Sequence, residues 1–167
     1  MVAVGLVLLC GSGTADRLRA RLAGHGFVVT PPPGWRARIV APGPPSPPAL
    51  NVGNFPLPDW RDDSGNSAPV NWPAHGILIT VADWTSDTSP SFRRWFRRAD
   101  LPLHLTASER SGPLEGDSPE HAYFGANVKV RGRLFDVEVQ IGSARAPLAD
   151  LARANAVLRL TEVSARR

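Results

Sequence analysis

HAYFGANVKVRGRLFDVEVQIG, residues His121 to Gly142, decides how the chain folds. Placing a turn at Arg131-Gly132 sets Val130 opposite Arg133, and glycine at the second central position suits a tight hairpin. Val128 then faces Phe135, Ala126 faces Val137, Phe124 faces Val139 and Ala122 faces Ile141, all apolar pairs. The other face pairs Lys129 with Leu134, Asn127 with Asp136, Gly125 with Glu138 and Tyr123 with Gln140. A one-residue slip would bury the charges, so the alternation specifies the register.

Downstream, Gly142-Ser143 ends the second strand, and Ser143 is placed to cap a helix. Pro147 to Leu158 is an amphipathic helix with Leu148, Leu151, Ala152 and Leu158 on one stripe. Asn155 falls inside that stripe and reads as a rim residue bonded to nearby backbone.

Upstream, Gly76 to Ala82 (GILITVA) is a continuous apolar run, expected to be a central strand buried on both faces. Trp35 to Val40 and Ala49 to Phe55 alternate in strand fashion, and Phe27 to Val29 reads as a shorter strand. Pro31 to Pro58 holds ten prolines, which excludes helix there but permits strands between turns. Ser89-Pro90 supplies an N-cap and an N1 proline. Ser91 to Ala99 (SFRRWFRRA) follows at helical spacing, with Phe92, Trp95, Phe96 and Ala99 on one side and the arginines on the other. Leu101-Pro102 stops it. His104 to Glu109 is a candidate strand. Residues 59–71 and 111–120 are polar loops.

These elements predict one α+β domain over 27–167: an antiparallel sheet sandwiched by two main helices. Residues 16–26 read as a linker or short helix. Residues 1–15 read as a signal or anchor segment, because Val2 to Leu9 is a short apolar run and Gly13-Thr14-Ala15 offers small residues for cleavage. A positive n-region is missing. Val7-Leu8-Leu9-Cys10 is similar to a bacterial lipobox, making Cys10 a lipidation candidate, although Leu9 departs from the small residue expected there. A competing reading makes the same stretch the start of a nucleotide-binding βαβ unit, using Gly11 and Gly13. Asp16 then stands where the third glycine of G-x-G-x-x-G belongs, and a carboxylate there repels phosphate.

Composition fits a globular chain of 167 residues with 43% hydrophobic content. Lys129 is the one lysine among 19 basic residues, and the net charge of +4 is too small to argue for nucleic acid by itself. Cys10 is the one cysteine, so no internal disulfide forms. No apolar run approaches the ~18 residues of a membrane span.

Chemistry-bearing patterns are sparse. There is no G-x-S-x-G, and His25, His75, His104 and His121 lack the spacing of a helical metal site. Asp59, Asp62 and Asp63 lie near Gly65 and Asn66, but Arg61 occupies a middle ligand position of a calcium loop and no twelfth-place acid follows. Asp136 and Glu138 share a sheet face and, beside Asn127 and Lys129, read as part of an ordinary polar face of the sheet. Neither a cofactor nor a metal is expected. The local feature that stands out is Arg93-Arg94-x-x-Arg97-Arg98. It is either the solvated back of a core-packing helix or a patch for phosphates on anionic lipid, wall polymer or nucleic acid.

The segments TPPPGWRARI, ALNVGNFPLP, GILITVADW, SFRRWFRRA, GRLFDVEVQIGS and LADLARANAVLRL together resemble a group of actinobacterial secreted or lipid-anchored proteins. The pattern, over about Phe27 to Leu160, is also similar to the PsbP-like fold, an antiparallel sheet sandwiched by helices. The resemblance implies a non-enzymatic protein with no catalytic residues to carry over. The expected function is that of a non-catalytic extracytoplasmic binding or accessory protein, secreted or anchored at the cell envelope, its ligand and partner not named by the sequence. The alternatives are an anion-binding module using Arg93, Arg94, Arg97 and Arg98, and a nucleotide-binding enzyme using Gly11 and Gly13.

Overall fold

The structure, a computed structural model, describes residues 21–40, 43, 46–57, 72–87, 89–112, 119–143, 145 and 147–165. The hairpin forms as its alternation dictates. Strand β8 (Ala122–Val130) pairs with β9 (Arg133–Ile141) in the register with Val128 opposite Phe135 and Val130 opposite Arg133. Arg131 and Gly132 both adopt positive φ, 50° and 79°, which matches the turn twist to that of the strands.

On the β9 side the sheet continues through β5 (Ile77–Asp83), β4 (Ala49–Gly53) and β3 (Arg36–Val40), all antiparallel. On the β8 side lie two short edge strands, β6 (Arg97–Arg98), which runs parallel to β8, and β7 (Arg110–Ser111), which runs antiparallel to it. A second, three-stranded sheet is built from β1 (Leu22–Gly24), β2 (Phe27–Val29) and β10 (Thr161–Val163), with β2 in the middle. Part of the 16–26 segment expected as linker or short helix is therefore strand, turning through His25 and Gly26 at positive φ.

One face of the seven-stranded sheet carries the core. Leu50, Val52, Ile77, Ile79, Val81, Phe124, Phe135, Val137, Val139 and Ile141 are sealed there. Helix α2 (Pro147–Leu158) packs over β5 and β9, and Phe27, Val29 and Val163 of the small sheet join the same cluster. The opposite face is only partly covered. Thr80 and Ala82 stay half-exposed, so β5 is not buried on both faces as its apolar run suggests.

The expected sheet between two main helices is not what forms. The molecule is mostly β, with two mainly antiparallel sheets and one main helix. The second helix, expected over 91–99, survives only as α1 (Pro90–Arg93), with no buried residue. Arg93/Arg97 and Arg94/Arg98 would stack like charges at i,i+4, and so short a helix has little cooperative stability of its own. The open edge of β8 competes for the same backbone, pairing Arg97 with Val128 and Arg98 with Lys129, while the Ala99 amide donates to the Lys129 carbonyl at 3.2 Å. Two smaller corrections follow. His104 to Glu109 is no strand: Leu103 and Leu105 are buried and a 3-10 turn occupies Ala107–Glu109. On α2, Leu148 and Ala152 face solvent, and the buried face is Asp150, Leu151, Ala154, Asn155, Val157 and Leu158 behind Pro147.

Candidate functional site

The arginine segment is a knuckle at the β8 edge. Phe92 packs edge-on against both Trp84 (5.3 Å between centroids) and Phe96 (5.1 Å), which pins α1 to the end of the sheet. Phe96 is buried, and its amide donates to the Arg93 carbonyl, closing the turn. Every other residue from Arg93 to Arg98 is exposed, and Trp95 is 72% exposed. The helical reading placed Trp95 in the core. The turn after α1 instead delivers it to solvent amid four arginines.

The four cations differ in their commitments. Arg97 pairs with Glu109, and Arg93 Nε donates to the Asp87 carbonyl at 3.2 Å. Arg94, Arg98 and Lys129 have no ion-pair partner among the described residues. Strand periodicity puts Arg98 on the same side as Lys129, its register partner, and Arg97 on the core side with Val128. The edge of the sheet therefore carries adjacent uncompensated charges on one face and a paired arginine on the other.

On the Arg97 side, a cavity of about 200 Å³ opens between β6, the 99–105 segment and the sheet. Leu103, Leu105, Val128 and Val137 line its depth, all buried. Arg97, Asp100 and His104 stand at its exposed mouth. Leu105 of that lining is held from behind by Asn155, 4% exposed, whose side chain accepts from the Leu105 amide (2.9 Å) and donates to the Leu105 carbonyl (2.8 Å). Asn155 is thus a buried clamp, not a rim residue.

The other sequence candidates scatter. Cys10, Gly11, Gly13 and the Asp59–Asn66 acidic loop lie outside the described residues. His25 sits in the β1–β2 turn and His104 at the cavity mouth. At the opposite end of β8, the His121 ring packs tilted against Trp72 (5.1 Å), which packs on Phe55 (4.9 Å). His75 meets the buried carboxylate of Asp150 at 3.2 Å, and Arg153 also bonds Asp150. Among the described residues no three His, Cys, Asp or Glu side chains gather to hold a metal. On the half-open sheet face, burial pushes the Asp136 carboxyl above its ordinary 3.8.

Two functional-looking residues escape sequence reasoning altogether. Arg133 and Asp83 form a buried ion pair. The visible signal was Arg133 sharing a strand face with Phe135, Val137 and Val139, where a charge requires a partner.

No protein-family model, curated protein or solved structure matches the chain.

Proposed function

We propose that the protein is a non-catalytic extracytoplasmic binding module whose Arg93–Arg98 knuckle docks on an anionic lipid surface. Trp95 is the observation that carries this reading. A large aromatic side chain held in solvent forfeits its burial energy, and an indole flanked by guanidinium groups suits the headgroup layer, where its apolar ring and polar N–H are both accommodated. The uncommitted Arg94, Arg98 and Lys129 supply attraction to phosphate. No helix among the described residues is long and apolar enough to cross a membrane. The apolar Val2–Leu9 run followed by small residues supports the compartment.

Flotation with phosphatidylglycerol-containing vesicles, set against purely zwitterionic vesicles, tests the docking. Binding is expected to the anionic vesicles alone and to weaken with salt. Replacing Arg94, Arg98 and Lys129 with glutamine removes about 1 kcal/mol each, a loss of roughly 100-fold in partitioning. Trp95→Ala costs roughly tenfold and blue-shifted Trp95 emission marks insertion. Equal binding by the triple variant, or retention on a polynucleotide or polyphosphate with vesicles left unbound, overturns the lipid reading. The intact mass recovered from host fractions tests the compartment: a full-length cytoplasmic species overturns it.

A further inference from the structure

The docking proposed above relies on Trp95, Arg94, Arg98 and Lys129, not on the cavity beside them. We propose that this cavity binds a small zwitterion with an apolar body, of the α-amino-acid class. The argument starts from size. An apolar protein cavity of about 150 Å³ already accommodates benzene, and this one measures about 200 Å³, room for a branched or aromatic side chain. Leu103, Leu105, Val128 and Val137, all buried, bring apolar side chains to its lining for that body.

The mouth selects the head. Arg97 and Asp100 both line it, with opposite charges. A simple carboxylate would gain Arg97 and meet repulsion from Asp100, and a simple amine the reverse. A ligand carrying both charges on one carbon satisfies both. Glu109 takes one edge of the Arg97 guanidinium through Nη2, which fixes the side chain while leaving N–H groups of a five-donor fork for a ligand carboxylate. Asp100 has no ion-pair partner among the described residues. His104 adds a further polar group at the same rim. Preorganisation comes from Asn155, which holds Leu105 of the lining by both backbone groups, so little ordering cost falls on binding there.

Calorimetric titration of the full chain with L-leucine tests the assignment. Small ligands bind with about twice the efficiency per atom of drug-sized ones, which gives the nine-atom leucine a Kd of about 100 μM. Three controls dissect it: 4-methylpentanoate lacks the ammonium, 3-methylbutylamine lacks the carboxylate, and glycine lacks the body. Each is expected to bind at least about tenfold more weakly than leucine. Ala99→Phe, at the half-buried lining, should fill the cavity and abolish binding while vesicle flotation persists, which separates this site from the lipid surface. No heat with leucine at about 10 mM, or a monopolar control that binds as tightly as leucine, overturns the proposal whether or not the Ala99 variant folds.

Discussion

Asn155 carries a polar side chain on a buried helix face, and its two hydrogen bonds to Leu105 are the reason it can sit there. The pair imitates one rung of a β-ladder: an amide group meets a peptide group donor to acceptor in both directions. Asn155→Leu keeps the volume and strands the Leu105 N–H and C=O inside the protein, a loss of roughly 2–4 kcal/mol. Denaturant unfolding should show a lowered midpoint at unchanged slope, and hydrogen exchange at Leu105 should accelerate. Asn155→Asp restores the acceptor without the donor and should recover only part of the protection. Asp136 shows the opposite case. Its carboxyl is pushed up by burial, with Asn127 as its register neighbour. A folded pKa above the unfolded 3.8 means that the folded state favours the neutral acid. The cost is absent below the unfolded value, grows as pH rises through the folded one, and is complete above it. Asp136→Asn should therefore raise Tm at pH 7, and the gap from wild type should close as the pH falls toward 3.8. A gap that is constant with pH would exclude ionisation as its cause.

At the scale of elements, two glycines of one hairpin separate backbone demand from mere tolerance. Gly132 sits at φ 79° with open space around it, so the whole cost of a side chain there is conformational. Gly132→Ala is expected to destabilise by about 1 kcal/mol. Gly125, mid-strand in β8, has ordinary φ, and a Cβ would meet the Val137 carbonyl at 3.7 Å, normal contact. Gly125→Ala should be neutral or stabilise by about 0.5 kcal/mol. Paired thermal melts read both. The hairpin was legible in the sequence because strict alternation over nine paired positions admits one register. The knuckle was not. SFRRWFRRA fits a helical wheel, and nothing local shows that β8 has an open edge waiting for Arg97 and Arg98. Once the helix is lost, Trp95 moves from core to solvent, so the error in the element and the error in the site are the same error. The cavity was equally hidden, since its lining comes from segments 97–105, β8 and β9, whose meeting is decided by tertiary packing. Leu148 and Ala152 fall on the flank of α2, beside the face that Leu151, Ala154, Asn155 and Leu158 bury.

The whole molecule is two sheets sharing a core, and their junction is where a charge had to be buried. Arg133 begins β9 in the large sheet. Its guanidinium pairs with Asp83 at the end of β5, then reaches across to the small sheet, donating to the His25 carbonyl (2.8 Å), the Gly26 carbonyl (3.1 Å) and Ser164 Oγ (3.3 Å). It lies over Phe27 at 5.5 Å and Phe135 at 5.0 Å, one ring from each sheet. Asp83 is held in turn by the Thr85 amide at 3.0 Å, and Thr85 Oγ1 accepts from the Leu134 amide at 2.9 Å. A single side chain thereby answers the turn carbonyls of β1–β2, the end of β10 and an acid of the large sheet. Glycine at 26 is required twice over, since its φ is +81° and a Cβ would come within 2.0 Å of Arg133 Nη1. Removing one partner of a buried pair typically costs 3–5 kcal/mol, because the other charge is left uncompensated. Arg133→Met should fall in that range of about 3–5 kcal/mol, and Asp83→Asn somewhat below it, since the guanidinium keeps its carbonyl partners. In a double-mutant cycle the two losses should be less than additive by about 2 kcal/mol. Hydrogen exchange then distinguishes a junction from an ordinary core contact. In Arg133→Met the amides of Phe27–Val29 and Thr161–Val163 should lose protection before those of β5 and β9. Uniform loss across both sheets would show instead that Phe27, Val29 and Val163 bind the small sheet by apolar packing alone, with the guanidinium only filling the gap between the rings.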